Sequence, residues 1–270
     1  MTAVAAAPRP RYVAAFLRSL RLTAARTAVG RGGLVVAGFF YLMVTSILSE
    51  LWKVAALANG GEVAGYSASA LVWYIATSES VTIPLPIKLI DDIGIEIADD
   101  TLAVELLRPI PPIVVRIGAQ FGMVLPRLVV CAGLGLGFAY LSGGAPLSPA
   151  ALLLAAPSVV LALLLNVCAQ HLFASGAFWV SDAKSTWFLY QKLVFVTGGM
   201  LLPLEVLPPT VESVTRWLPF MAMAYAPARL ASGHFEPELL LIQAGWLIVL
   251  GVGAWWAFDR GQRHLMGGRS

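Results

Sequence analysis

The sequence predicts an all-α polytopic membrane protein with six transmembrane helices, built as a single domain over residues 1–270. Three observations lead to this fold class. Hydrophobic residues make up 59% of the chain and charged residues only 12%, whereas a soluble domain carries about 25% charged residues. The mean hydropathy is +0.80, and the apolar residues form six long stretches. Since each span needs about 20 residues, no room is left for a separate soluble domain.

The first predicted element is an amphipathic helix over residues 11–28 that lies in the membrane interface. Its arginines, among them Arg18 and Arg21, share one helical face, and apolar residues such as Phe16 and Leu20 share the other. A helix of this kind places its apolar side at the acyl boundary and its arginines among anionic head groups. The alternative is a basic flank that only sets the topology. Both interpretations place the N-terminus in the cytoplasm.

Six apolar stretches are predicted to cross the membrane. They cover residues 34–57, 66–90, 117–141, 149–180, 187–204 and 239–258. Pro84 and Pro86 kink or end the second stretch where it leaves the lipid. Between the fifth and sixth stretches, residues 203–238 contain six prolines, which divide this interval into short pieces. We expect a re-entrant extracellular segment of short helices there.

The placement of lysine and arginine predicts the orientation of the chain. With six spans both termini share one side of the membrane. Of the eighteen lysines and arginines, thirteen then lie on that side, three lie on the other and two fall within spans. Cytoplasmic loops carry the excess of these residues. The sequence therefore predicts a multi-pass protein of the bacterial cytoplasmic (inner) membrane with both termini in the cytoplasm.

One hydrophilic segment, residues 91–116, separates the second and third predicted spans. It contains six carboxylates and cannot lie in hydrocarbon, where each charge costs several kcal/mol. Ile95, Leu102 and Leu106 fall near one side of a helix, and Pro109 ends that helix. A solvated loop is the simplest interpretation of such a segment. The apolar stripe favours instead a short cytoplasmic helix that binds a partner surface.

The sequence lacks the motifs of several functional classes. It has no G-x-x-x-x-G-K-[ST] loop for ATP, no H-E-x-x-H or C-x-x-C metal motif and no G-x-S-x-G elbow. It also has no basic block of the kind that nucleic acid requires. Cys131 and Cys168 lie in apolar stretches and are expected to be small buried hydrophobes. We therefore predict no catalytic residue, no bound cofactor and no metal site on this chain, and no nucleic-acid partner.

Four ionisable residues within the predicted spans are candidates for a transport path. They are Glu79, Arg127, His171 and Lys192. Charged residues in a membrane are costly and by default indicate function. The structural alternatives are that Glu79 pairs with Arg127 or Lys192, that Lys192 reaches the cytoplasmic face, and that His171 is a packed, hydrogen-bonded residue. An ion-coupled carrier that uses Glu79 and Arg127 is thus one functional hypothesis.

The acidic segment resembles the link between the second and third spans of type-two ABC exporter permeases. The resemblance rests on Glu96-Ile97, Leu102-Ala103 and Leu106-Leu107-Arg108-Pro109, and it extends to Ala177-Phe178-Trp179, Gly198-Gly199, Pro203-Leu204, Leu207-Pro208, Leu218-Pro219-Phe220 and Pro227. It covers nearly the whole chain. The sequence departs from the family pattern at Ala98 and Asp100, where a basic residue and a glycine are commoner.

This resemblance implies a permease half that pairs with a second permease chain, identical or related, in the lipid membrane. It further implies two separate ABC ATPase subunits, which would bind ATP and Mg, so the permease itself would not be an enzyme. The residues that it places against the ATPase are Glu96, Ile97, Leu102, Glu105, Leu106, Leu107 and Arg108. The implied function is ATP-driven export of an amphipathic drug, lipid or peptide, as in multidrug efflux. The ion-coupled carrier without an ATPase remains the alternative.

Overall fold

The computed structural model describes residues 9–86, 89–98, 110–179 and 183–267. Within these residues the fold is all-α apart from one two-stranded hairpin. The α-helices, numbered in chain order, are α1 Arg9–Val29, α2 Arg31–Ala58, α3 Ala68–Thr82, α4 Leu89–Ala98, α5 Pro112–Gly143, α6 Pro149–Ser175, α7 Ala183–Thr197, α8 Pro209–Thr215, α9 Tyr225–Ala231 and α10 Glu238–Gly267. Short 3₁₀ turns lie at Gly176–Phe178, Leu204–Val206 and Pro219–Ala222.

Four helices are long and apolar enough to cross a membrane. They cover Arg31–Ala58, Pro112–Gly143, Pro149–Phe178 and Glu238–His264. The second and fifth predicted spans correspond to α3 and α7, which have only 15 residues each. Such a helix is about 22 Å long at 1.5 Å per residue, less than the hydrocarbon core of about 30 Å. The chain is a multi-pass membrane protein in which these two helices are shorter than the sequence predicted.

Local sequence signals explain why α3 is short. A hairpin precedes it, with strand β1 at Glu62–Val63 pairing antiparallel to strand β2 at Tyr66–Ser67. The hairpin turn has positive φ at both central residues, Ala64 and Gly65, as a tight hairpin turn requires. Ser67 then caps α3 by accepting a hydrogen bond from the Ala70 N–H, 3.2 Å away. At the other end Pro84 follows closely, and the residue before a proline disfavours helix.

The helices run between two opposite ends of the bundle. At the first, which we call the hairpin end, lie the hairpin, the turn at residues 144–148 and the segment at residues 198–236. There the Trp73 indole donates to the Gly144 carbonyl at 3.3 Å, and Gly233 lies against the side chain of Leu147. At the second, which we call the α4 end, lie α4, the start of α5, the 3₁₀ turn at Gly176–Phe178 and the end of α10. The short helices α3 and α7 therefore run between the same two ends as the long helices.

The N-terminal helix α1 packs along the first half of α5. A Cβ atom added to Gly118 would lie 2.3 Å from the Ser19 Oγ, and one added to Gly122 would lie 2.3 Å from the Leu20 carbonyl oxygen. Glycines four residues apart allow two helix backbones to approach closely in this way. The arginines predicted on the opposite face of α1, such as Arg18, are exposed. The helix predicted over residues 11–28 thus has a protein partner, which its sequence pattern did not indicate.

The segment between α7 and α10 is broken into short helices and turns, and its irregular start lies against α2 and α3. Three side chains from those helices donate hydrogen bonds to three consecutive carbonyl groups. The Tyr74 hydroxyl donates to the Gly199 carbonyl at 2.5 Å, and the Ser78 hydroxyl donates to the Met200 carbonyl at 2.7 Å. The Trp52 indole N–H donates to the Leu201 carbonyl at 2.8 Å. Ser78 is about 15 Å along α3 from its first residue, at 1.5 Å per residue. Irregular backbone at such depth requires polar partners from the protein, and these side chains provide them.

Candidate functional site

Helix α4 is the described part of the acidic segment, and it has two distinct faces. Ile90, Ile93 and Ile97 are buried in the main hydrophobic core, where α4 packs on α6, α7 and the 3₁₀ turn at Gly176–Phe178. On the opposite face Asp92 is exposed and Ile95 is 58% exposed. The spacing of three and four residues between the buried isoleucines is that of one helical face. One side of α4 is therefore anchored in the bundle while the other side is open.

An ion pair joins α4 to α5 across the middle of the acidic segment. Arg116, in the second turn of α5, contacts the Glu96 carboxylate, and the arginine is the more buried partner. The sequence predicted that Glu96 would pair with a partner subunit, but this carboxylate contacts the chain's own α5. Ile97, also predicted to face the ATPase, lies in the core instead. Both residues therefore fix the position of α4 in this structure.

The other residues predicted to contact an ATPase lie outside the described residues. They are Leu102, Glu105, Leu106, Leu107 and Arg108. Beside α4, Asp91 lines an open groove of about 420 Å³ together with Ser185, Trp187 and Phe188 of α7. Sequence reasoning did not associate the start of α7 with the acidic segment, since 94 or more positions separate them. Asp91 lies one helical turn before Ile95, so we take the open face of α4 and this groove together as the candidate docking site.

Glu79 does not form the ion pair that the sequence suggested. Its side chain is 2% exposed, and its Oε1 atom has no hydrogen-bond partner within the described part of the chain. Neither Arg127 nor Lys192 forms an ion pair with it among the residues of known position. The predicted pairing of Glu79 with either cation was therefore wrong. The carboxyl group lies one turn after Ala76, whose carbonyl accepts a hydrogen bond of 2.7 Å from the Tyr41 hydroxyl.

The remaining intramembrane candidates are dispersed. Arg127 is half-buried on α5. Lys192 is exposed on α7, with its Nζ atom 5.0 Å from the ring centre of Phe188. His171 is buried on α6, where its Nδ1 atom is 2.8 Å from the Val167 carbonyl oxygen. The expectation that His171 is a packed, hydrogen-bonded residue agrees with this contact. No group of side chains suited to holding a metal ion occurs in the described ranges.

Two buried polar pairs join the helices and were not predicted. The Gln120 amide on α5 donates to the Gln170 side chain on α6 at 2.6 Å. The Tyr190 hydroxyl on α7 donates to Asn166 of α6 at 3.0 Å. Uncharged polar residues of this kind commonly join helices within membranes. These two hydrogen bonds fix the positions of α5, α6 and α7 relative to one another.

A mostly apolar cavity of about 360 Å³ lies between α3, α5 and α6. Its lining residues are Trp73, Ala76, Thr77, Ser80, Leu128, Ala132, Gly135, Leu136, Leu152, Ala155, Ala156, Val159 and Val160. The hydroxyl groups of Thr77 and Ser80 give its wall two polar groups. The cavity lies in the half of α5 and α6 that is nearer to the turn at residues 144–148. No charged side chain of the described chain lines it.

A polar cluster at the hairpin end was missed by sequence reasoning. Glu205 accepts a hydrogen bond from the Tyr225 hydroxyl at 2.5 Å and forms ion pairs with Arg216 at 3.0 Å and Arg229 at 3.4 Å. Arg229 also donates to the Tyr66 hydroxyl of β2 at 2.6 Å. Burial alone would raise the pKa of Glu205, but the hydrogen bond from Tyr225 and the two arginines outweigh it and leave the pKa below its ordinary value. Through Tyr66, this cluster binds the segment at residues 198–236 to the hairpin.

Comparison with known families settles the class of the protein. The family model described as ABC-2 family transporter protein matches residues 40–267. The chain belongs to the ABC-2 family. No curated protein and no solved structure matches it significantly. As an ABC-2 permease the chain is a transmembrane component of a transporter, and its family implies association with an ATPase component. The predicted membership of the ABC-2 permease family is thereby confirmed.

Proposed function

We propose that this ABC-2 permease is one half of the membrane domain of an ATP-driven exporter in the bacterial inner membrane. Residues 91–116 would bind separate ATPase subunits, which carry ATP and Mg, and a second permease chain would complete the pathway. All six predicted spans would cross the membrane, with both termini in the cytoplasm. Two ATPase subunits would then serve the pair of permeases.

The observation that carries this proposal is the two-faced packing of α4. Ile90, Ile93 and Ile97 anchor the helix in the core, while Ile95 remains largely exposed on the other face. An exposed aliphatic side chain beside acidic residues is suited to a partner surface with an apolar pocket and basic groups. Because the Glu96–Arg116 ion pair ties α4 to α5, a push on α4 would move α5 as well. Closure of the ATPases on ATP could in this way rock the transmembrane helices.

Substitution of Ile95 tests the coupling role. Ile95→Ala removes an exposed side chain and leaves the buried face of α4 intact. If Ile95 seats in the ATPase, the loss of about 1–2 kcal/mol of apolar contact should lower the amount of copurified ATPase by roughly tenfold. The measurement is recovery of the ATPase, and of its vanadate-sensitive activity, from the permease expressed at its native locus. The matched control is Val214→Ala, which changes a similarly exposed aliphatic residue, 63% exposed, at the hairpin end.

Two results would contradict the coupling role. One is undiminished recovery of ATPase with Ile95→Ala, and the other is purification of the wild-type chain in several mild detergents without any nucleotide-binding subunit. The resemblance also places Glu105 at the rim of the ATPase. Charge reversal, Glu105→Lys, should then weaken assembly, and unchanged assembly and transport would remove Glu105 from the site.

The cavity between α3, α5 and α6 supports an amphipathic substrate. Its aliphatic wall suits an apolar moiety, and Thr77 and Ser80 supply hydrogen-bonding groups. Filling it with Ala132→Phe should reduce export of such a substrate and preserve copurification of the ATPase. Val129→Phe, on the exposed face of the same helix, is the matched control for adding an aromatic ring. Full export by Ala132→Phe, measured as substrate uptake into inverted vesicles with ATP, would show that substrates pass elsewhere.

One observation favours the alternative of an ion-coupled carrier. Glu79 is buried with an unpartnered oxygen among the described residues, as a protonatable coupling group would be, although Arg127 does not pair with it. Glu79→Gln would abolish gradient-driven transport in a carrier. Transport that persists without an ATPase, is resistant to vanadate and is lost in Glu79→Gln would favour the carrier over the exporter.

A further inference from the structure

A further pocket lies at the α4 end of the bundle, where α10 leaves the predicted membrane region. Its volume is about 480 Å³, and its lining residues are Trp179, Trp256, Asp259, Arg260, Arg263 and His264. It combines aromatic rings with basic groups, and neither the cavity between α3, α5 and α6 nor the exposed face of α4 shares a residue with it. Its position and composition therefore require a separate explanation.

The base of this pocket is tightly packed. A Cβ atom added to Gly261 would lie 2.1 Å from the ring of Phe178, so α10 and the 3₁₀ turn at Gly176–Phe178 are in close contact there. The Phe178 ring also packs edge-on against Phe258 at a centroid distance of 5.4 Å. Next to it, the Trp179 ring stacks on His264 at 6.4 Å and 25°. These contacts hold Trp179 opposite the basic face of α10.

Arg260 supplies a cation that no carboxylate among the described residues neutralises. Its guanidinium group lies 5.6 Å from the centre of the Trp256 ring, and it forms no ion pair with any carboxylate in the described part of the chain. Arg263, one turn further, is bound to Asp259. Within the described residues, the pocket thus presents the Arg260 guanidinium group, without a carboxylate partner and held against the Trp256 indole ring, to an anionic ligand.

The pocket continues an apolar stripe on the outer face of α10. Val249, Val252 and Trp256 are exposed at successive turns of the helix, and Arg260 follows at the next turn. The distance along the helix from Val249 to Arg260 is about 16 Å at 1.5 Å per residue. This is close to half of the hydrocarbon thickness of about 30 Å. An acyl chain that lies along this stripe would therefore bring its head group to Arg260.

We propose that this pocket binds the phosphate group of a membrane phospholipid, with an acyl chain against the stripe formed by Val249, Val252 and Trp256. Arginine binds phosphate through charge-assisted hydrogen bonds, and tryptophan concentrates at the boundary between head groups and hydrocarbon. Basic pockets at the ends of transmembrane helices recognise anionic lipid head groups in the same way. The lipid would hold the end of α10 against the 3₁₀ turn at Gly176–Phe178.

The test is native mass spectrometry of the delipidated full chain with two added lipids of identical acyl chains. Phosphatidylglycerol carries the phosphate, and diacylglycerol lacks it. We expect preferential retention of phosphatidylglycerol, reduced about tenfold in Arg260→Gln by loss of a charge-assisted hydrogen bond. Trp256→Leu should weaken binding as well. The matched control is Lys53→Gln, which removes an ion-paired cation near the end of α2, far from α10 in the chain. This substitution should leave the retention of phosphatidylglycerol unchanged.

Three results would overturn the proposal, provided that the variants elute as wild type in size-exclusion chromatography. The first is equal retention of phosphatidylglycerol by Arg260→Gln and wild type. The second is displacement of the lipid by millimolar inorganic phosphate, which would indicate a site for free phosphate. The third is efficient disulfide cross-linking of Val252→Cys between two copies in the membrane, which would show that a second chain covers the stripe.

Discussion

At the scale of single residues, Glu205 lies at the centre of the polar cluster at the hairpin end of this permease. It interacts with Tyr225, Arg216 and Arg229, and its side chain is 18% exposed. Without its carboxylate, two partly buried guanidinium groups would lose a counter-charge. Such losses cost more than the net value of the original pair, because the partners have already given up hydration.

The substitution Glu205→Gln should therefore destabilise the hairpin end. We expect a loss of about 2 kcal/mol in the free energy of unfolding, visible as a lower melting temperature in detergent. The matched control is Glu50→Gln, which breaks an ion pair with Lys53 in which Glu50 is 65% exposed. An exposed pair of this kind contributes at most about 1 kcal/mol. Equal effects of the two substitutions would show that the cluster around Glu205 adds no stability.

The stability of the hairpin end should also depend on pH. Burial, together with the charge of Arg229, lowers the pKa of His234 below its ordinary value of 6.5. His234 packs on the Tyr66 ring and contacts Ser232, with Glu236 and Glu205 close enough to act on it. Below about pH 6.5 the His234 side chain therefore binds a proton in the unfolded segment but not in the folded one. The free energy of unfolding is thus highest above that pH and falls as the pH decreases below it. Glu205, whose pKa is lowered from 4.5, adds a further loss below about pH 4.5.

Hydrogen exchange of the amides at residues 225–236 would measure this dependence. After correction for the intrinsic rate, exchange should be constant above pH 7 and should accelerate as the pH falls from 6.5 to 5. His234→Gln should flatten the profile in that range. A wild-type profile without any change between pH 7 and 5 would contradict the assignment to His234.

These residue contacts also show where sequence reasoning stops. The helical period predicted a short helix in the acidic segment, and the structure has α4 there with Ile95 exposed. It did not identify Ile90, Ile93 and Ile97 as the face of α4 that is buried in the bundle. It could not find the cluster around Glu205, because Tyr66 and Glu205 are 139 positions apart and Tyr66 and Arg229 are 163 apart. The same limitation produced the incorrect pairing of Glu79 with Arg127 or Lys192. The sequence shows only that Glu79 carries the opposite charge to Arg127 and Lys192. The distances between these side chains depend on how the helices are rotated in the bundle.

At the scale of elements, the contact between α1 and α5 depends on glycine. The sequence predicted an amphipathic α1 from its arginines, but the partner of its less polar face is set by Gly118 and Gly122 on another helix. Glycines inside a transmembrane helix do not by themselves say which helix approaches them. Here the Leu20 backbone lies so close to Gly122 that a methyl group would displace it.

The substitution Gly122→Ala should accordingly separate α1 from α5. We expect a net destabilisation of about 1–3 kcal/mol from overpacking, measured by thermal unfolding in detergent. The control is Gly133→Ala on the same helix, where the added Cβ meets no atom within 4 Å. There the substitution should be neutral or stabilising by up to about 1 kcal/mol, since alanine favours helix over glycine. A stabilising effect at both positions would show that α1 does not pack closely on α5 in the membrane.

At the scale of the whole molecule, the arrangement of the two ends supports six crossings. The turn at residues 144–148 touches Trp73 and Gly233 at the hairpin end, and α4 lies at the opposite end beside the 3₁₀ turn at Gly176–Phe178. If only the four long helices crossed the membrane, α4 and the hairpin would share one side of it. The limited lengths of α3 and α7 then require a locally thinner bilayer or flanking residues within the interface.

Accessibility of two positions distinguishes the two topologies. With the N-terminus in the cytoplasm, six crossings place Leu147 outside and Ile95 inside, whereas four crossings reverse both positions. Asn59 is outside in either case and serves as the control. Cysteine introduced singly at each position, in a chain whose buried Cys131 and Cys168 are replaced by alanine, can be labelled in intact cells with an impermeant maleimide.

We expect label at Asn59 and Leu147, and label at Ile95 only after the membrane is opened. Both Leu147 and Ile95 are exposed in the structure, so protection from the reagent would come from the membrane and not from packing. Because an ATPase can reach α4 only from the cytoplasm, the result at Ile95 also bears on coupling. Label at Ile95 in intact cells, with protection of Leu147, would refute six crossings and remove α4 from the ATPase contact.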